Sequence, residues 1–193
     1  MGIEFEVKFR ATPAIQETIR KGIPEQEAIY AMQTTYYDTP GGDLAKRMYT
    51  LRRRMENTLS VCTLKTPADG LGRREFEVNC ENIEDALEEL CRLSGITELP
   101  ALFSKGLIPV CGAAFTRIAK ALVLEGCTVE LALDKGILSG GGKQLPLCEI
   151  EVELKSGSRE AALAYAQKLA KTYGLTPEAY SKFQRAQALA KGV

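Results

Sequence analysis

The chain has 193 residues, 25 basic against 25 acidic side chains, 45% apolar residues and no histidine. That length suits one hydrophobic core and no Gly/Ser- or Pro-rich linker divides it, so a single domain over residues 1–193 is expected. A net charge of zero argues against bulk attraction to nucleic acid or a membrane surface, the apolar runs fall short of the roughly 18 residues of a membrane span, and the missing histidine leaves any metal site to carboxylates, which select hard ions such as Mg²⁺, Mn²⁺ or Ca²⁺.

From the N-terminus, residues 3–10 alternate apolar and charged side chains with the period of a half-buried strand: Ile3, Phe5, Val7 and Phe9 share one face, Glu4, Glu6, Lys8 and Arg10 the other. A chain that enters a charged strand at once has no signal-peptide pattern, so a cytoplasmic location is expected. Thr12 as N-cap, Pro13 at the first helical position and Gly22 after the last turn frame a short helix. A strand over about 30–38 runs into Thr39-Pro40-Gly41-Gly42, so Tyr36, Tyr37 and Asp38 read as a strand end before a turn.

Strands follow over 49–56, 59–66 and 72–80, placing Arg52 and Arg54, then Lys65, then Arg73, Glu75 and Glu77 on charged faces, with Arg53 and Arg74 on the opposite, surface side. Asn82 opens a second helix, with Glu84 and Asp85 in its first turn and Gly95 past its end. Strands over 114–124, 127–134 and 146–155 add Arg117, Glu130, Asp134, Glu149, Glu151, Glu153 and Lys155 to the charged set. Between the last two lies Gly140-Gly141-Gly142, which lacks the Lys-Ser/Thr of a phosphate-binding loop and reads as a hairpin turn. Ser158 caps a third helix with an apolar stripe at 162, 163, 166, 169 and 170 before Gly174, and Ser181 to Lys191 forms a last helical segment. The six scattered cysteines form no Cys-x-x-Cys pair and read as reduced, buried thiols.

About eight strands with few helices imply an α+β fold with a mainly antiparallel sheet, and eight strands can close into a barrel. If nearly every strand has one apolar and one charged face, a barrel covered outside by helices carries its charges in the lumen, whereas an open sheet turns the same charges to water.

The N-terminal run Glu4-Phe5-Glu6-Val7-Lys8 resembles the Glu-x-Glu-x-Lys signature of the CYTH family, the triphosphate tunnel metalloenzymes. Its companions follow in family order: Tyr36-Tyr37-Asp38-Thr39-Pro40, Leu51-Arg52-Arg53-Arg54, Thr63-Leu64-Lys65, Arg74-Glu75-Phe76-Glu77, Phe115-Thr116-Arg117, Val129 to Gly136, Glu149 to Gly157, and Ser181-Lys182. The resemblance covers almost the whole chain and is closest in pattern to bacterial inorganic triphosphatases. It implies a closed eight-stranded antiparallel barrel holding a small triphosphate and one or two Mg²⁺ or Mn²⁺ ions. By position, Glu4, Glu6, Asp134, Glu149, Glu151 and Glu153 fall on the metal side, and Lys8, Arg52, Arg54, Lys65, Arg117 and Lys182 on the phosphate side. Glu4, Glu6, Lys8 and Lys65 are the expected catalytic residues, and Glu75, Glu77 and Glu130 are further tunnel acids. The tail Phe183-Gln184-Arg185-Ala186 departs from relatives that carry an acid and a glycine there.

Hydrolysis of tripolyphosphate or a related small triphosphate is the expected activity. A class IV adenylyl cyclase and a non-catalytic polyphosphate or nucleotide binder are the alternatives. With no Trp, and with aromatics that fall mostly on apolar strand faces or in helices, phosphate recognition is expected to dominate over base recognition. No nucleic-acid or membrane partner is expected, and a homodimer is compatible with the sequence.

Overall fold

The computed structural model describes residues 3–68 and 72–192, with Ile3 described by its backbone alone, so the expected inward or outward turn of the Ile3 side chain lies outside the described residues. In chain order the elements are β1 (Ile3–Glu4), β2 (Glu6–Arg10), α1 (Pro13–Gly22), β3 (Glu27–Asp38), α2 (Asp43–Lys46), β4 (Thr50–Glu56), β5 (Leu59–Pro67), β6 (Arg73–Asn79), α3 (Ile83–Ser94), α4 (Leu99–Phe103), β7 (Ile108–Leu124), β8 (Cys127–Gly140), β9 (Lys143–Gly157), α5 (Arg159–Tyr173), β10 (Thr176–Pro177) and α6 (Lys182–Lys191). The fold is α+β, one large antiparallel sheet with six helices among the described residues.

The sheet order is β1-β6-β5-β4-β3-β7-β8-β9-β2-β10. Its hydrogen-bonded order is open, beginning at β1 and ending at β10, so closure by hydrogen bonds is not among its features. The expected first strand is nevertheless split in an instructive way. Ile3 and Glu4 pair with Arg74 and Arg73 of β6, whereas Glu6 to Arg10 pair with Glu153 to Glu149 of β9, and only Phe5 separates the two pieces. Eight long strands are therefore present once β1 and β2 are taken as one segment and the two-residue β10 is set aside.

Local signals explain most helix boundaries. The Thr12 hydroxyl accepts from the Ile15 amide and the Ser158 hydroxyl from the Ala161 amide, while Gly95 and Gly174 close α3 and α5 with φ near +65°. Ser181 and Gln184 form a reciprocal capping box on α6. Two helices escape the sequence reading because they are only four and five residues long: α2, whose amides at Leu44 and Ala45 are held by the buried Asp38 carboxylate, and α4. Asp38 thus serves the turn, as expected. Within the α5 stripe Ala162, Ala166 and Leu169 are buried, but Leu163 is exposed, one step too far round the helix.

Apolar faces collect into three clusters. α1 and α5 cover the outer face of β2, β8 and β9 through Ile19, Leu131, Leu133, Ile150, Val152, Ala166 and Leu169. α3 and α4 cover β4, β5 and β6 through Leu51, Leu64, Phe76, Ile83, Leu90 and Leu102. The third lies on the inner face: Met32, Ala113, Phe115, Leu138 and Leu147 pack against Ala186 and Leu189 of α6. This explains why β7, β8 and β9 are longer than their alternating cores suggest. Where α6 covers the inner face, the inward positions are apolar too, and the period-two signal vanishes.

Candidate functional site

The charged strand faces converge on a cavity of about 1100 Å³. Eight acids (Glu4, Glu6, Glu56, Glu75, Glu77, Glu130, Glu151, Glu153) and eight bases (Lys8, Arg52, Arg54, Lys65, Arg73, Arg117, Lys155, Lys182) line it, so the site is neutral as a whole and its chemistry depends on how the signs are distributed. Thirteen of the fifteen site residues expected from the sequence line this cavity. The other two, Asp134 and Glu149, lie behind its wall with no exposed surface.

Those two belong to a sealed ionic cluster. Arg117 on β7 faces Asp134 on β8, which faces Glu149 on β9. The Arg117 guanidinium donates to both Asp134 oxygens at 2.8 and 2.7 Å and also to Glu151. Lys182, delivered by the first residue of α6, meets Asp134 at 2.7 Å, Glu151 at 2.8 Å and Glu149. Arg185, one turn on, donates to Glu149. From behind, the buried Gln16 amide of α1 donates to the backbone carbonyls of Asp134 and Glu149, tying β8 to β9. The oxygens of Asp134, Glu149 and Glu151 lie within 4.8 Å of one another, close enough for one ion, and each carboxylate has a cationic partner. Burial opposes the charge on Lys182, but Glu151, Asp134 and Glu149 outweigh it and hold the ammonium well above the usual lysine range. Burial would likewise raise Glu151, yet Lys182 and Arg117 hold it well below the usual carboxylate range.

A second row of acids is less well matched. Glu130 on β8 sits opposite Glu153 on β9, which sits opposite Glu6 on β2. Like charges directly opposite one another destabilise a sheet. Among the described residues Lys8 meets Glu6 at 2.8 Å, Lys155 meets Glu153 at 2.9 Å, and Glu130 has only long contacts, to Arg117 at 3.8 Å and to Lys155 at 3.9 Å. Burial, together with Glu4 and Glu130, pushes the Glu153 carboxyl up despite Lys155. Glu4 completes this side and is bound by Lys65 at 2.6 Å.

Across the cavity stands a wall of guanidinium groups short of close carboxylate partners. The buried Nε of Arg52 has no hydrogen-bond partner among the described residues. Its terminal nitrogen reaches Glu75 at 3.3 Å and Glu77 only at 4.0 Å. Arg54 donates to the Thr34 hydroxyl at 2.9 Å, and its guanidinium lies 4.0 Å from the Glu56 carboxylate. Burial and the neighbouring Arg52 lower its pKa to about 10. Arg73 spends its donors on neutral oxygens, the carbonyls of Met48 and Lys65 and the Thr50 hydroxyl, and burial lowers its pKa as well.

Sequence reasoning placed Arg73 on the charged face but not in the site. Arg10 goes the other way: its side chain is largely exposed and pairs with the buried Glu178 at 2.7 Å. Arg185 gave no readable signal, because α6 approaches the inner face only in three dimensions. The aromatics also differ from expectation. Tyr30, Tyr36, Tyr49 and Phe183 all line the cavity, with the Tyr36 and Phe183 rings 5.1 Å apart, since helical packing and strand ends bring them inward.

Among proteins of known function, the chain is 31% identical over 174 residues to an inorganic triphosphatase of Haemophilus influenzae, which covers 86% of this chain and 49% of that protein. The chain thus spans about half the length of that relative. Two solved structures share the fold at low identity. A protein from Bacillus halodurans described as a candidate adenylate cyclase superimposes with a TM-score of 0.67 at 21% identity, covering 95% of this chain and 96% of that one. A Hippeastrum protein first assigned as an adenylyl cyclase, and described as having a dominant triphosphatase activity, gives a TM-score of 0.66 at 20% identity over 100% and 96%. A family model described as the CYTH domain matches residues 2–186, from the segment that carries Glu4 and Glu6 to the helix that carries Lys182 and Arg185, and the chain belongs to the CYTH family.

Proposed function

We infer that this chain hydrolyses a small triphosphate, with inorganic tripolyphosphate preferred, in a tunnel closed through residues 4–6. The observation that carries the reading is the segregation of incompletely matched charge: guanidinium groups with few close carboxylate partners on one wall face a carboxylate row whose members stand opposite one another on the other. An elongated polyanion meets the first need and a divalent cation the second. Closure is supported by the chain itself, since β1 and β2 pair with opposite ends of the long-strand order and are one residue apart.

The donor set fits a hard ion. Glu4, Glu6, Glu130, Glu151 and Glu153 offer only oxygen, and no described imidazole or thiol lines the cavity, which suits one or two Mg²⁺ or Mn²⁺ ions. Glu4, Glu6 and Glu153 would hold such an ion, with Glu151 and Glu130 within reach of the same row. When bound, it supplies charge neutralisation at phosphate oxygens and a water of lowered pKa.

The remaining work falls to this chain's side chains. Phosphoryl transfer needs positioning and stabilisation of negative charge more than covalent chemistry. Arg52, Arg54 and Arg117 grip phosphate oxygens through charge-assisted hydrogen bonds. Lys8 and Lys65, which bridge the acids and the cavity, add point charges where the leaving phosphate gains charge. A carboxylate of the Glu4–Glu6 pair orients the attacking water and accepts its proton. In this scheme Asp134 and Glu149 act one layer back, by fixing Arg117 and Lys182.

The test is a parallel screen of tripolyphosphate, ATP and thiamine triphosphate with Mg²⁺ and with Mn²⁺, assaying phosphate, pyrophosphate and cyclic AMP. Tripolyphosphate should be cleaved to pyrophosphate and phosphate with the highest kcat/KM. Cyclic AMP plus pyrophosphate from ATP would assign a cyclase instead, and binding without turnover of any of the three would assign a binding module.

A further inference from the structure

One inner-face residue touches the basic wall from beneath and has no part in the scheme above. Phe115 lies on β7, 5% exposed, with Met32 opposite on β3 and Gly136 opposite on β8. A Cβ on Gly136 would sit 2.1 Å from the Ala114 carbonyl oxygen and 2.6 Å from the Phe115 Cβ, so that position stays bare and leaves the ring its space. Three cations from three different elements converge on this ring. The Arg54 and Arg117 guanidinium carbons lie 5.7 and 5.9 Å from its centroid, and the Lys182 ammonium 5.1 Å.

We propose that Phe115 is a positioning residue, whose ring holds the cationic ends of Arg54, Arg117 and Lys182 together at the wall that reads the triphosphate. Three like charges so placed repel one another, and among the described residues Arg54 is held by the Thr34 hydroxyl at 2.9 Å with Glu56 no nearer than 4.0 Å. The face of an aromatic ring attracts cations within about 6 Å without carrying a net charge. It therefore draws Arg54 toward Arg117 and Lys182, which Asp134, Glu149 and Glu151 already anchor, while leaving the Arg54 charge available to an incoming anion, whereas a further carboxylate at this point would compete with phosphate. The inference rests on the phosphate-binding reading of the cavity.

The experiment uses the full chain and compares wild type, Phe115→Leu and Phe115→Tyr. Binding of tripolyphosphate is measured by calorimetry without added metal, and kcat and KM are measured with Mn²⁺. Phe115→Leu, close in volume and apolar, should weaken tripolyphosphate binding and raise KM about five- to twenty-fold with a smaller change in kcat. Phe115→Tyr keeps the ring face and should restore both to within about two-fold of wild type. In an Arg54→Gln background the effect of Phe115→Leu should shrink, because part of the group it orients is already gone. Should Phe115→Leu unfold, Phe115→Met carries the same comparison. Wild-type affinity retained in Phe115→Leu, or a defect that Phe115→Tyr does not repair, overturns the positioning role. Absence of tripolyphosphate binding by the wild type overturns the cavity reading itself and the inference with it.

Discussion

Lys182 and Arg54 are both buried cations on the same cavity, yet their surroundings demand opposite outcomes on removal. Lys182 balances three buried carboxylates, two of them with no exposed surface, so Lys182→Met leaves uncompensated buried charge and should cost about 3–5 kcal/mol, read as a lowered urea midpoint. Arg54 has a pKa depressed by burial and by Arg52, which means that folding disfavours its charge. Arg54→Gln should therefore leave the urea midpoint within about 1 kcal/mol of wild type while raising KM for tripolyphosphate about ten-fold or more. A large loss of stability with unchanged KM would return Arg54 to a structural role. Most of these residues were legible as charged positions on alternating strands. Which of them are neutralised was not, because a carboxylate's partner is set by the neighbouring strand and by α6.

At the scale of the element, β9 carries both kinds of acid two residues apart. Glu151 has its folded pKa held well below the usual range, so it contributes stability that is present above its unfolded value and lost as pH falls through the folded value. Glu153 is raised, so it costs stability above its folded pKa, and that cost disappears on acidification. Glu151→Gln should be clearly less stable than wild type at pH 7, with the gap closing below about pH 4. Glu153→Gln should match or exceed wild type at pH 7 without metal. Thermal midpoints between pH 2.5 and 8 decide both. The β8–β9 hairpin tests how α6 is seated: a Cβ on Gly140 would lie 2.3 Å from the Ala186 carbonyl oxygen, whereas one on Gly142 meets nothing within 4 Å. Gly140→Ala should cost about 1–3 kcal/mol by pushing on α6. Gly142→Ala, at φ +74°, should cost only the backbone strain of about 1 kcal/mol. Equal Tm values for the two variants would mean that α6 yields freely.

The whole molecule joins two half-neutralised walls around one cavity, and its stability should respond to what fills them. A ligand that binds only the folded state raises Tm by mass action. Mn²⁺ or Mg²⁺ should raise Tm at pH 7.5, less so at pH 5 because protons compete at the raised Glu153 carboxyl, and less in Glu153→Gln. A shift of equal size in that variant at both pH values would place the ion away from the Glu6–Glu153–Glu130 row. Strand faces, the caps of the longer helices, the hairpin at Gly140–Gly142 and most of the inward charges, Arg10 excepted, were determined by the sequence itself, because each follows from a period of two or from residues within a turn of one another. The split of the first strand at Phe5, the apolar inner end under α6 and the sealing of Asp134 and Glu149 beneath Lys182 and Arg185 were decided only in the tertiary structure. They depend on cross-strand register and on a helix docking far from its sequence neighbours, and neither leaves a local periodicity to read.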